Sequence, residues 1–406
     1  MIDAPSCPEG FVAHGMIAGI KPSGRADLAV ILAPDGASAA AMVTTNLVRA
    51  APVDLTEAHL RASGGRAHAV LVNAGCANAA TGAEGRVRAQ RTVAVLAEAV
   101  GCKVADVLVA STGVIGQQLP DGKIVDAIPA LLAGASTDGL VRAAEAIMTT
   151  DTRRKMAECV RTVDGRTVRV VGIAKGAGMI HPDMRPVTPH ATPHATPHAT
   201  MISVVLTDAK VDASTLQRLL AESCERSFHR ITVDGDTSTN DCVFALASGK
   251  AGAVDDAALR AMLTEVAESL AEQVVRDGEG AKRLLRVTVT GAASQHDALV
   301  AARTVAMSLL VRTAVAGGDP NWGRIAAAAG RSGADFDPNR LRIDANGVAL
   351  MVDGTPTTLT PEARSRIFSG ERVSIELDLG AGTASDHFTT CDLTEEYIRI
   401  NAEYTT

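Results

Sequence analysis

Short runs of β-branched and aliphatic residues alternate along this chain with longer stretches whose apolar positions recur every three or four residues. The first pattern predicts buried strands and the second amphipathic helices. Leu28–Leu32 (L-A-V-I-L), Val70–Val72 and Val107–Ala110 read as strands, with a helix over Val87–Val100 between the last two. Leu140–Met148 reads as a helix and Thr167–Ala174 as a strand that delivers Lys175. Past the centre, Ile202–Leu206 predicts a buried strand, Ala213–Cys224 a helix, Val243–Ala247 a strand and Asp256–Arg276 a long helix. The last third continues with a strand over Leu285–Val289, one helix over His296–Val315, a turn at Trp322 leading into a helix over Ile325–Ala329, and a strand over Val373–Leu379. The final residues, C-D-L-T-E-E-Y-I-R-I-N-A-E-Y-T-T, are rich in strand formers and predict a docked terminus that can reach a site. Alternation of this kind is the pattern of an α/β protein.

The polar links carry the candidate chemistry. Asn73–Gly82 (N-A-G-C-A-N-A-A-T-G) follows a strand and is either a plain turn or a backbone-rich loop that approaches a ligand. Ser111–Gly116 (S-T-G-V-I-G) sets Thr112 and Gly113 at a strand end, where a hydroxyl and a backbone N–H can face a developing oxyanion, although Thr-Gly is also common in turns. Thr152 and Lys155 either meet substrate or face solvent, and Lys175, before Gly-Ala-Gly, either points inward at a carboxylate or is solvated. The loop Asp234–Asp241 is dense in Asp, Ser and Thr; a network of side-chain turns is favoured over a Mg²⁺ or Ca²⁺ site. In D-G-E-G-A-K, Glu279 sits between two glycines, from which a carboxylate can project toward an amine.

The centre of the chain, Lys175–Ala209, joins a Gly-rich exit, a Thr-Pro-His-Ala repeat over Thr188–Ala199 and the strand that starts at Ile202. His190, His194 and His198 are spaced as on one helix face, but Pro189, Pro193 and Pro197 forbid a regular helix. An exposed, mobile loop over 185–199 is favoured over a metal site. Thr200 stands where loop meets strand. It either merely begins the strand or, if the bond before it is cut, becomes a nucleophile whose freed α-amine, titrating near pH ~8, serves as its base.

Composition narrows the function classes. A formal charge of −7 gives no reason to expect nucleic acid or an anionic membrane as partner. Aromatic residues are only 2%, so the core must be built from Ala, Val, Leu and Ile. No apolar run is long enough to span a bilayer, and the start lacks the basic and apolar regions of a secretory signal. Seven scattered cysteines without a C-x-x-C pair predict reduced thiols in a cytoplasmic protein. The dinucleotide, phosphate-loop and G-x-S-x-G motifs are absent.

Nine segments in order, N-A-G-C-A-N-A-A-T-G, A-S-T-G-V-I-G, I-M-T-T-D-T, G-I-A-K-G-A-G-M-I, A-T-M, R-I-T-V-D-G-D-T-S-T-N-D, D-G-E-G-A-K, D-P-N-W-G-R and C-D-L-T, resemble the ornithine acetyltransferase family. These are the bifunctional glutamate N-acetyltransferases of arginine biosynthesis. The resemblance runs from G-F-V-A-H-G near the start to N-A-E-Y-T-T at the end. It implies a layered α/β sandwich, shared with β-aminopeptidases, that is assembled from two chains after self-cleavage between Ala199 and Thr200. The α chain would be 1–199 and the β chain 200–406, usually two copies of each. Thr200 would be the nucleophile, and Thr112 and Gly113 the oxyanion hole. Thr152, Lys175, Thr200, Glu279, Asn401 and Thr406 would line a site for N2-acetylornithine and glutamate. The resemblance implies no metal or organic cofactor, and leaves open acetyl-CoA as a second donor and a paralogous role in secondary metabolism. One departure stands out: fourteen residues, 185 to 198, separate G-M-I-H-P-D-M from A-T-M and create three Ala-Thr junctions. Only Thr200 has an apolar strand directly behind it; Thr192 and Thr196 precede Pro. Two other readings remain, an N-terminal-nucleophile amide hydrolase and an uncleaved protein whose His-Pro repeat binds a metal or a partner.

Overall fold

A computed structural model describes residues 5–163, 165–187 and 201–403. The chain is a mixed α/β protein with two sheets, one in each of two compact units. The first unit takes residues up to His229 together with Asp236–Val274, and the second takes Arg230–Gly235 and the chain from Val275.

The first unit contains, in order, β1 (Val12–Met16), β2 (Leu28–Thr44), α1 (Ala51–Ser63), β3 (Arg66–Cys76), α2 (Gly82–Val100), β4 (Val107–Val114), α3 (Asp121–Ala133) and α4 (Leu140–Ala146). It continues with β5 (Lys155–Val163), β6 (Arg166–Lys175), β7 (Met184–Pro186), β8 (Ile202–Lys210), α5 (Ala213–Arg226), β9 (Cys242–Ala253) and most of α6 (Asp256–Arg276). The strands form one sheet in the order β4-β3-β2-β9-β8-β6-β5, with β1 and β7 also paired to β2. Two of its pairings are parallel, β3 with β4 and β8 with β9; the rest are antiparallel.

Both faces of this sheet are buried, which is why its strands read as continuous apolar runs rather than as an alternation. Ala29, Ile31, Val70, Val72, Leu108 and Ala110 pack on one face with Leu140, Ala143 and Ala144 of α4. Leu28, Val30, Leu71, Val107 and Val109 pack on the other with Val93 and Leu96 of α2 and Ile124 and Ile128 of α3. The shortage of aromatics leaves alanines at the close-packed positions. The edge strand β4 is closed off by α1: Thr56 Oγ1 donates to the Val109 carbonyl and accepts from its N–H, both at 2.8 Å, and His59 Nδ1 lies 2.7 Å from the Val107 carbonyl. Side chains thus satisfy backbone groups that an open sheet edge would leave unpaired.

The second unit holds β10 (Leu284–Ala292), α7 (Gln295–Met307), α8 (Leu309–Ala316), α9 (Trp322–Gly330), β11 (Arg342–Ala345), β12 (Val348–Val352) and β13 (Thr355–Pro356). It ends with α10 (Pro361–Ile367), β14 (Arg372–Asp378), β15 (Ala384–Cys391) and α11 (Glu395–Glu403). Its sheet runs β13-β12-β11-β14-β10-β15, and the buried faces of α7 and α9 join its core.

Three expectations are corrected here. The single helix over His296–Val315 is two helices bent by 55°. Ser308 leaves helical geometry (ψ 116) and its Oγ accepts from the Val311 N–H, so a serine caps a new helix where the apolar period runs on unbroken. The C-terminal segment expected to dock forms the helix α11, which buries none of its residues and carries Glu396–Arg399 and Arg399–Glu403 pairs along one side. The start of the loop expected over 185–199 is strand instead. Arg185 and Pro186 belong to β7, paired with Val43 and Met42 of β2, and Arg185 binds the buried Glu57 carboxylate at 2.8 Å. The Thr-Pro-His-Ala repeat, with Ala199, Thr200 and the C-terminal Thr406, lies outside the described residues.

All seven cysteines are free, and six of them are buried. Among the described residues no single helix is long and apolar enough to cross a membrane.

Candidate active site

The site is built at the ends of neighbouring strands in the first unit. Thr112 and Gly113 lie inside β4, which runs on to Val114, rather than past its end. They pair in register with Ala74 and Gly75, so β3 also continues into the segment that composition reads as a loop. Gly113 has φ +130, and a Cβ there would come within 2.3 Å of the Gly75 carbonyl carbon. No other residue fits, because the two backbones meet where a side chain would stand.

β6 ends in Lys175, 2% exposed, whose Nζ donates to Thr112 Oγ1 at 3.0 Å. A hydroxyl that accepts from an ammonium keeps its own hydrogen to donate. Thr112 can therefore give that hydrogen to an oxygen carrying developing charge, while Lys175 strengthens the positive field behind it.

Asp151 ties this end of the sheet together. Its Oδ1 accepts from Lys155 Nζ at 2.5 Å and from the Gly176 N–H at 2.6 Å, and its Oδ2 accepts from the Thr149 N–H at 2.9 Å. Burial pushes its carboxyl up, but the Lys175 and Lys155 charges and the Gly176 N–H outweigh this and bring it down to about 2. Lys21 comes from the segment before β2 and lies against Gly75. Burial and the Arg25 charge lower its ammonium to about 8, against the pull of Asp27. Three buried lysines thus surround one paired carboxylate, an arrangement suited to receive a substrate anion. Thr152, next to Asp151, is exposed.

The loop before β9 closes the cluster. Asn240 Nδ2 donates to the Ser111 carbonyl at 2.7 Å and the Ala77 carbonyl at 2.6 Å, and Ser111 Oγ donates to Asn73 Oδ1 at 2.5 Å. Asp241, fully buried, accepts the Met201 N–H at Oδ1, and the Cys242 N–H donates to the Met201 carbonyl at 3.0 Å. Burial drives the Asp241 carboxyl well above the carboxylate range, opposed by the Met201 N–H and Lys175. The Asx and Ser/Thr turn network favoured for Asp234–Asp241 is present: Gly235 N donates to Thr232 Oγ1 and Asn240 N to Ser238 Oγ.

In the second unit Asn401 Nδ2 donates to Glu279 Oε2 at 3.0 Å, which joins two predicted site residues that are far apart in the chain. Sequence reading missed Asp151, Lys21, Asn240 and Asp241, and left Lys155 between substrate and solvent. Their signal was polar residues at the borders of apolar runs, which solvated turns share.

A profile of the ArgJ family matches residues 12–406. The chain belongs to the ArgJ family. The arginine biosynthesis bifunctional protein ArgJ of Parasynechococcus marenigrum is 46% identical over 98% of this chain and 94% of its own length. That of Gloeobacter violaceus is 46% identical over 98% and 97%. A solved ArgJ from Bacillus halodurans is 39% identical, covers 48% of this chain and 96% of its own, and has a TM-score of 0.47. An ornithine acetyltransferase from Mycobacterium tuberculosis, solved with ornithine, is 36% identical over 45% of this chain and 98% of its own, at a TM-score of 0.40. This ArgJ-family chain is an enzyme, an acetyltransferase of arginine biosynthesis.

Asp151→Asn is expected to destabilise the ArgJ-family chain by about 3–5 kcal/mol near neutral pH, since two buried ammonium groups lose their counter-charge. The depressed carboxyl contributes stability that is complete above its ordinary value of 3.8 and lost as pH falls through about 2. The gap to wild type should therefore narrow by about 2 kcal/mol between pH 4 and pH 2. Urea unfolding of both proteins at pH 7, 4 and 2 measures it.

Proposed function

We propose that the chain cuts itself between Ala199 and Thr200, and that the mature Thr200 carries an acetyl group from N2-acetylornithine to glutamate. The observation that supports this reading is the register at the start of β8. Ile202 pairs with Lys175, and Lys175 reaches the Thr112 hydroxyl, so the chain enters β8 at the cluster. Thr200 precedes this strand by two residues. A nucleophile needs such a rigid support, because misplacement by an ångström is costly.

The first use of the constellation is maturation. The Thr200 hydroxyl attacks the Ala199 carbonyl, the C–N bond opens to leave an ester, and water hydrolyses it to give 1–199 and 200–406. The second use is transfer. The Thr200 oxygen attacks the acetyl carbonyl while its own amine takes the hydroxyl proton, and Thr112 and the Gly113 N–H receive the oxyanion. Ornithine leaves with that proton, and the glutamate amine then attacks the acetyl-enzyme. Lys175, with Thr152, Glu279, Asn401 and Thr406, binds the charged ends of the two amino acids. Acetyl-CoA is the candidate second donor. The cleaved chains assemble as α2β2, and seven unpaired thiols suit the cytoplasm.

Ping-pong kinetics are expected, with parallel initial-rate lines for acetylornithine and glutamate and a mass increase of one acetyl group on a peptide beginning Thr-Met-Ile-Ser. Intersecting lines without an acetyl-peptide contradict the covalent route. Acetate release at full rate without glutamate favours the amide hydrolase instead.

A further inference from the structure

Lys21 is 7% exposed and stands in the segment between β1 and β2. Among the described residues its ammonium has one hydrogen-bond acceptor, the Ala26 carbonyl at 2.5 Å. Asp27 attracts it but uses both oxygens on backbone N–H groups: Oδ1 on Ala18 at 2.6 Å, and Oδ2 on Ile20 at 2.5 Å and on Lys21 itself at 2.8 Å. These bonds, with that of Arg25 to the Thr149 carbonyl at 2.9 Å, fix the segment. The side chain is laid along the Thr112–Lys175 cluster. A Cβ on Gly75 would stand 2.9 Å from Lys21 Cγ, and Gly75 pairs with Gly113 in the neighbouring strand. The Asp27 carbonyl, next to Ala26, accepts the Ala74 N–H at 2.8 Å, and Ala74 pairs with Thr112. Stem and ammonium thus lie along the two residues that pair with Thr112 and Gly113.

The buried charges there do not balance. The ammonium groups of Lys21, Lys155 and Lys175 stand against the carboxylates of Asp27 and Asp151, while burial favours the neutral acid of Asp241. A buried charge without a counter-charge is costly, so a bound anion completes the set. We propose that Lys21 is a specificity-determining residue of the acetyl transfer: its ammonium receives the α-carboxylate that N2-acetylornithine and glutamate share. This rests on the reading of Thr112 and Gly113 as the oxyanion hole. In both substrates only the α-carbon separates the α-carboxylate from the reacting nitrogen. It therefore comes to rest close to the oxyanion, whereas the charge at the end of the side chain lies beyond a run of methylenes. Lys175 already donates to Thr112 at 3.0 Å, and Lys155 to Asp151 at 2.5 Å. Lys21, laid beside the partners of Thr112 and Gly113, is the ammonium placed for the nearer anion.

The charged groups around Lys21 come from several elements. Burial and the Arg25 charge bring its ammonium down to about 8, helped by Lys175 on β6 and opposed by Asp27 and Asp151. Lys123 of α3 donates to the Gly19 carbonyl in the same segment. An arriving carboxylate favours the charged form of Lys21, so substrate binds best to the protonated lysine. Affinity for the carboxylate is therefore lost as pH rises through about 8.

Lys21→Met keeps the stem and removes the charge. Acetyl transfer to glutamate is compared with transfer to 4-aminobutyrate, which is glutamate without its α-carboxylate. The variant should lose about 10- to 100-fold in kcat/KM for glutamate, mostly through KM, and little for 4-aminobutyrate. The preference for glutamate should shrink by the same factor. A merely structural lysine would lower both alike, so a preference that stays that of wild type overturns the inference. Should Lys21→Met not fold, the wild-type protein decides. Its kcat/KM for N2-acetylornithine should fall as pH rises through about 8, and that for N-acetyl-1,4-diaminobutane, the same donor without the carboxylate, should not. A fall common to both donors, or absent from both, refutes the proposal. Thr112→Val separates the two failures. Wild-type kcat in that variant removes the oxyanion hole and Lys21 with it, whereas an impaired Thr112→Val beside an unmoved preference in Lys21→Met removes only Lys21.

Discussion

Thr200→Ala is expected to remain one chain of 406 residues and to transfer no acetyl group above a background at least about a thousandfold below wild type. In the proposed reading one hydroxyl does both reactions. Without it the Ala199 carbonyl has no internal nucleophile, so the scissile bond survives and the α-amine that would act as base is never released. Losing nucleophile and base together should cost no more than losing the nucleophile alone, because groups that act as a unit do not contribute additively. The fold should persist, since β8 begins after this residue and its buried run, Ile202–Ala209, is untouched. Thr200→Ser keeps the hydroxyl and should retain cleavage and part of the transfer rate. Intact mass, the melting temperature and acetyl transfer from acetylornithine to glutamate settle the case together. Transfer that survives in Thr200→Ala removes the nucleophile assignment.

Thr112→Val should lower kcat by about 10²–10³, equivalent to about 3–4 kcal/mol, with little change in KM. The loss falls on kcat because charge on the carbonyl oxygen exists only in the transition state, so a donor aimed at it adds little to substrate binding. The side chains are of similar shape, and the strand register of Thr112 with Ala74 should hold. The change also takes from Lys175 an acceptor at 3.0 Å, so some of the loss belongs to a displaced ammonium. Thr112→Ser separates the two effects, since it restores both the hydroxyl hydrogen and the acceptor. If Ala199 is attacked in the same cradle, precursor cleavage should slow in Thr112→Val as well, visible as uncut chain in freshly purified protein. Wild-type kcat in Thr112→Val removes this side chain from the oxyanion hole.

The sequence was most legible where burial repeats. The strand cores at Leu28, Val70, Val107, Ile202 and Val243 stand where their apolar runs predict them, and the long helix has the bounds Asp256–Arg276 that its period predicts. A residue buried on both faces of a sheet, or on one side of a helix, must be apolar at a fixed interval, and a fixed interval is visible in one dimension. Local events that break the interval without changing it were not visible. Ser308 divides a helix by capping its own neighbour, and the strand formers of the C-terminal segment lie in the helix α11.

The catalytic neighbourhood divides in the same way. Motif order alone carried the family, and with it Thr112, Gly113, Lys175 and Thr200 as expected site residues. Composition alone showed that the core had to be built without aromatics. The roles of Asp151, Asn240 and Asp241 belong to the tertiary structure, because each meets a partner from another part of the chain. Asp151 meets Lys175 only because β6 ends beside it, and Asp241 meets Met201 only because β9 and β8 lie side by side in parallel register. A carboxylate at the border of an apolar run is solvated or buried according to what folds over it. That is a fact of three dimensions, which spacing along the chain does not contain.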